Sequence, residues 1–81
     1  SQQLHLIPAS YQIEEALKLP GTKVLMKTGK KMQEVKAQIK ASGNKAEMIE
    51  NCGMPDEKIY RSVEEIPDDA GYYSLIIVKE K

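Results

Sequence analysis

The stretch TKVLMKTGKKMQEVKAQIKASGNKAEMI, residues 22–49, decides the fold. It opens on a mostly apolar run at 22–26, closed by the polar loop Lys27-Thr28-Gly29. That pattern predicts a strand buried largely on both faces, and so one in the middle of a sheet. Over 30–41 the period changes. Met32, Val35 and Ile39 fall on one stripe at helical spacing, Ala37 is a strong helix former, and Gly43 stands where a left-handed residue ends a helix. Residues 46–49 return to a strand pattern. The stretch therefore predicts a strand–helix–strand unit with a right-handed crossover.

Upstream, Leu4-His5-Leu6-Ile7 is a short apolar run halted by Pro8, which suits a strand entering a loop. Ser10 is placed to cap a short amphipathic helix over 11–18. In it Ile13, Ala16 and Leu17 recur at helical spacing, Glu14, Glu15 and Lys18 face water, and Pro20-Gly21 ends the segment. Downstream, residues 50–56 are dense in turn formers, 58–60 read as a short strand and 63–67 as a brief turn or edge segment. The turn Asp68-Asp69-Ala70-Gly71 then launches a final strand over 72–78. The expected fold is one small α/β domain, with a mixed, partly parallel sheet of about four to five strands and two helices.

Composition narrows the functional classes. Twelve basic and twelve acidic side chains cancel across 81 residues, so no bulk field gathers nucleic acid or an anionic membrane. One Cys cannot form an internal disulfide, and with a single His there is no zinc-ligand spacing. Together these features predict a reduced, cytoplasmic protein. No apolar run approaches the ~20 residues that span a bilayer, and Ser1-Gln2-Gln3 is no signal peptide.

No catalytic constellation can be assigned. His5 lies between two leucines with no Ser, Cys or carboxylate placed beside it by a motif, so a strand-surface or partly packed role is favoured over catalysis. Cys52 lacks the neighbourhood of a thiol nucleophile. The paired acids at 14–15, 56–57, 64–65 and 68–69 read as solvated faces and turns. Lys27, Lys30 and Lys31 gather at a helix start, where the dipole disfavours cations unless an anion lies nearby; a solvated surface remains the better reading. The loops Lys27-Thr28-Gly29 and Asn51-Cys52-Gly53-Met54-Pro55 both follow apolar strands, and crevices in open α/β sheets lie at such ends. Gly53 allows close backbone approach and Met54 offers a soft apolar surface, although a tight turn beside a core Met accounts for both.

Leu6-Ile7-Pro8-Ala9, Val24-Leu25-Met26-Lys27, the run from Ile49 through Glu50-Asn51-Cys52-Gly53-Met54-Pro55-Asp56-Glu57-Lys58-Ile59-Tyr60, and Tyr73-Ser74-Leu75-Ile76-Ile77-Val78 together resemble the carboxy-terminal half of precorrin-2 C-20 methyltransferases. The specific part is the block 50–60; the strand matches are weaker. The resemblance covers nearly the whole chain. It implies that residues 1–81 are the carboxy-terminal domain of a tetrapyrrole methylase whose amino-terminal domain is absent. S-adenosylmethionine is then expected in a cleft between two α/β domains. It further implies homodimers, a tetrapyrrole substrate (precorrin-2 or its cobalt complex) and membership of cobalamin biosynthesis. Carried over, the cofactor contacts of this half fall on Met26, Asn51, Cys52, Gly53, Tyr73, Ser74 and Leu75. No metal ligand and no catalytic side chain are implied. The family's glycine-rich amino-terminal motif has no counterpart here, since no G-x-G occurs, so the chain alone is expected to be inactive. The rival reading is a free-standing small α/β binding or regulatory module without catalytic activity. The two differ in the apolar face that a detached half should expose.

Overall fold

The structure is a computed structural model that describes residues 4–8, 12–28, 31–69 and 73–79. In chain order these form β1 (Leu4–Pro8), α1 (Ile13–Ala16), β2 (Thr22–Met26), α2 (Met32–Ser42), β3 (Lys45–Glu50), β4 (Lys58–Tyr60), a 3-10 turn (Val63–Glu65) and β5 (Ser74–Lys79). The unit read from residues 22–49 is present as β2, α2 and β3. Gly43 closes α2 at φ 76° and donates its N–H to the Lys40 carbonyl, as its position predicts. Ser10, Tyr11, Gly29, Lys30, Ala70, Gly71 and Tyr72, on which parts of the cap, loop and turn readings fell, lie outside the described residues.

The first helix is shorter than its apolar spacing predicts. Lys18 and Leu19 donate to the carbonyls of Glu15 and Ala16, three residues back, so the end tightens into 3-10 turns before Pro20-Gly21. Even so, Ile13, Ala16 and Leu17 are buried. They do what the pattern requires of them, which is to cover the sheet.

The sheet runs in the order β1-β2-β5-β3-β4. β1 and β2 pair in parallel, and every other pairing is antiparallel. β1, β2 and β3 thus point one way, and their carboxyl ends share an edge with the starts of β4 and β5. β5 is inserted between β2 and β3, so the mixed, partly parallel sheet of the expectation is realised with the last strand at its centre.

Register and burial divide the sheet into two unequal faces. Ile7, Leu25, Ile76 and Met48 lie abreast on four neighbouring strands, with Val78 and Ala46 in the next row. All six are buried against Ile13 and Ala16 of α1 and Met32, Val35 and Ile39 of α2. The opposite face carries no helix among the described residues. The prediction that 22–26 is covered on both faces is therefore corrected: Leu25 is buried, whereas Val24 and Met26 on the other side are only half-buried. A run with apolar residues at both parities does not reveal which face the helices cover.

Lys23 shares the covered face and is fully buried. Its Nζ donates to the Leu19 carbonyl at 2.6 Å, capping the turn that follows α1, and His5, its register partner, meets the neighbouring Pro20 carbonyl through Nε2 at 3.1 Å. His5 is a packing and tethering residue in this fold. On the far side, Lys36 ties α2 to the segment after the 3-10 turn through the Ile66 carbonyl and the Asp68 carboxylate.

Tyr60 donates to the Glu50 carboxylate at 3.3 Å. Burial, then the charge and hydrogen bond of Glu50, and then Asp69 hold its hydroxyl above the ordinary value of 10.0. A folded-state value above the unfolded one means that the folded chain keeps this proton longer. Its stabilising contribution is thus complete below pH 10 and lost as pH rises through the folded value. Ultraviolet titration should find one of the tyrosines ionising above the ordinary range, and Tyr60→Phe should remove that transition and flatten the alkaline fall in stability.

Candidate functional site

At the edge shared by the ends of β2 and β3 and the start of β5 lies a cleft of about 340 Å³, lined by Met26, Lys27, Asn51, Cys52, Met54, Tyr73, Ser74 and Leu75. The topology creates it. β5 enters the sheet between two strands that end here, so the β2–α2 and β3–β4 loops stand on either side of its first residues. This is the kind of position at which open α/β sheets form crevices.

Backbone geometry marks both walls. Among the described residues, the non-glycine positions with positive φ are Lys27 at 59° and Asn51 at 55°. Each immediately follows a strand and each lines the cleft. Left-handed backbone disfavours a side chain bearing Cβ and persists where the surroundings fix it. At Asn51 they do. Its N–H donates to the Tyr73 carbonyl at 2.8 Å, its carbonyl accepts from Met54 at 3.0 Å, and its side-chain amide donates to Asp56 at 3.1 Å. Asn tolerates this conformation better than most residues.

Six of the seven residues expected to contact a cofactor therefore surround one cleft: Met26, Asn51, Cys52, Tyr73, Ser74 and Leu75. Gly53 does not reach the wall. It sits at φ 81° with open space around an added Cβ, and its N–H donates to the Glu57 carboxylate at 2.8 Å. The positive φ of this turn by itself calls for glycine there. Lys27 and Met54 complete the lining. Both belong to the loops singled out by the sequence, but the resemblance gave them no contact. Cys52 is exposed. Lys31 of the basic cluster is also exposed, at the start of α2.

The cleft is chiefly soft and apolar, from Met26, Met54, Leu75 and the ring of Tyr73, with amide and hydroxyl groups at Asn51 and Ser74. Such a lining grips a flat, weakly polar group and orients it through a few hydrogen bonds. Among the described residues no group of three or more His, Cys, Asp or Glu side chains is placed to hold a metal, and no helix is long and apolar enough to cross a membrane.

Next to Lys27, the Thr28 hydroxyl is fully buried and has no hydrogen-bond partner among the described residues. Burying a hydroxyl without a partner is unfavourable, while valine has nearly the same shape. Thr28→Val should therefore raise stability by up to ~1 kcal/mol, measured as a shift in the urea midpoint at unchanged slope.

No protein-family model matches this chain, and no curated protein does. Among solved structures, its fold matches part of a cobalamin biosynthetic enzyme, cobalt precorrin-4 methyltransferase, with a TM-score of 0.72 and 16% identity. The match covers 98% of this chain and 41% of that one. The chain thus has the fold of a segment spanning about two fifths of the length of that enzyme.

Proposed function

We propose that this chain is the carboxy-terminal half of an S-adenosylmethionine-dependent tetrapyrrole methyltransferase, acting at C-20 of precorrin-2 or its cobalt complex once an amino-terminal domain completes it. The observation that carries this reading is the convergence of Met26, Asn51, Cys52, Tyr73, Ser74 and Leu75 on one cleft. They come from three separate stretches of sequence. The fold shared with a methyltransferase of cobalamin biosynthesis supports the general chemistry, and the block 50–60 supports the C-20 assignment.

The residues present fit the cofactor. At about 340 Å³ the cleft lies near the lower end of the ~300–1,000 Å³ usual for small-molecule sites, as suits one wall of a shared site. Met26, Leu75 and Tyr73 would pack against the adenosine, and Asn51 and Ser74 would orient it. When bound, the cofactor supplies a methyl group already activated on its sulfonium. The protein then has chiefly to hold the reacting centres in line and exclude water, so the reading asks for no nucleophile and no metal from this half.

Calorimetry with S-adenosylhomocysteine tests the reading, using this chain alone and mixed with the separately produced amino-terminal half of a C-20 methyltransferase. Binding is expected in the mixture and lost on Leu75→Arg. Methyl transfer by the mixture to precorrin-2, and not to later intermediates, tests the position. Two halves that associate yet bind no S-adenosylhomocysteine would overturn the assignment and leave the free-standing module.

A further inference from the structure

Among the described residues, the one charged side chain lining the cleft is Lys27. It is exposed and forms no ion pair among those residues. Every other lining group is apolar, amide, thiol, phenol or hydroxyl. A cation without an acid at the edge of an otherwise neutral cleft attracts an anionic group on whatever the cleft holds.

The backbone does not account for a lysine here. At φ 59° glycine is favoured, and asparagine is the usual alternative, as at Asn51. Lys27 has neither advantage. It is held in this conformation from both sides. Met26 before it is paired with Leu75 in the sheet, and Thr28 after it is fully buried, its carbonyl accepting from the Lys31 N–H at 2.9 Å. Backbone fixed in a sparsely populated region is found chiefly where a site requires it. The hydrogen bond to Thr28 also keeps the start of α2 next to Lys27. There Lys31 is the N-cap and makes no side-chain cap bond, so the positive end of the helix and a second ammonium carry the same sign as Lys27. An anion held at Lys27 would offset that crowding of positive charge.

We propose that the Lys27 ammonium binds a carboxylate of the ligand that occupies the cleft. This role rests on the reading of the cleft as a cofactor site; the resemblance itself assigns Lys27 no contact. Two molecules in that reading carry the group: S-adenosylmethionine at its amino-acid end, and the tetrapyrrole on its acid side chains. Lysine is a compact charge on a flexible stem, so it can follow a carboxylate at the rim while Met26 and Leu75 hold the apolar part of the ligand. An ion pair in open water contributes little. With a second domain closing the cleft the pair is withdrawn from water, and a charge-assisted hydrogen bond then changes affinity by about tenfold.

Calorimetry on this chain mixed with the amino-terminal half tests the role by comparing S-adenosylhomocysteine with 5′-methylthioadenosine, which keeps the adenosine and lacks the carboxylate. If the cofactor supplies the group, Lys27→Gln weakens S-adenosylhomocysteine about tenfold and leaves 5′-methylthioadenosine unchanged. If the tetrapyrrole supplies it, both nucleosides bind as before and the KM for precorrin-2 rises about tenfold at unchanged kcat. In either case Lys27→Arg recovers most of the loss. Lys27→Gly, which suits φ 59°, loses the same affinity while its urea midpoint holds or rises. Equal weakening of both nucleosides would make Lys27 a structural residue and overturn the role. So would a Lys27→Gln variant that matches the wild type in all three measurements. A wild-type mixture that binds no S-adenosylhomocysteine refutes the cofactor reading itself, and this role with it.

Discussion

Ile76→Ala is expected to remove most of the stability of this domain. Ile76 is fully buried at the middle of β5, abreast of Leu25 on one side and Met48 on the other, both also fully buried. Removing a buried Ile side chain costs ~2–5 kcal/mol, the larger values arising where the site cannot collapse. Here the flanking backbones are fixed by ladders on both sides, so a value near ~4 kcal/mol is expected. A chain of 81 residues carries a total stability on the order of 4–12 kcal/mol. In urea the midpoint should move most of the way to zero denaturant. A loss below ~1 kcal/mol would mean that the layers close over the vacated space and that the centre of the core lies elsewhere.

Charge reversal beneath α1 should be as damaging for a different reason. In Lys23→Glu a buried carboxylate would face the Leu19 carbonyl in place of the ammonium that now donates to it. Uncompensated buried charge costs ~3–5 kcal/mol, and two acceptors would stand opposed without a donor. Lys23→Met separates the contributions, since it keeps the apolar stem and loses only the hydrogen bond, for ~1–3 kcal/mol. The pH dependence identifies the mechanism. Burial raises the folded-state value of the introduced carboxyl above the ordinary ~4.3. The variant should therefore be most stable in acid, below that unfolded value, and lose stability as pH rises through the folded one. A Lys23→Glu variant with the same stability at pH 4 and pH 7 would contradict this account.

The comparison of sequence with structure turns on a few residues. Met32, Val35 and Ile39 were legible as one buried stripe because a helix repeats its face every 3.6 residues, whatever lies beyond. Residues 58–60 were legible because turn formers bound them on one side. The place of β5 at the centre of the sheet was not legible, since strand order is set by long-range pairing and leaves no local periodicity. The partner of Lys23 was not legible for a similar reason. Its place in an apolar run gives no sign of a partner, and only the turn after α1, brought over it by the fold, supplies the carbonyl that makes its burial acceptable. In the cleft, the loops after β2 and β3 were identifiable by their place after apolar strands. Nothing in the sequence distinguished Gly53, which shapes its loop, from Met54, which lines the cleft.

The central position of β5 has a consequence for how the chain comes to be folded. As residues leave the ribosome in order, β1 pairs with β2 and β3 with β4, giving two small half-sheets, each with an open edge and an incomplete core. In the sheet they are joined only when residues 74–79 arrive to pair with the edges of both. The β2–β5 pairing joins residues as far apart as Lys23 and Val78, so closure carries a loop-entropy cost and should be the slow step. Until then the exposed edges of β2 and β3 invite pairing with other nascent chains. Folding of this domain is therefore a process completed from its carboxyl end, in which about six residues decide whether a parallel β1–α1–β2 unit and an antiparallel β3–β4 pair become one sheet.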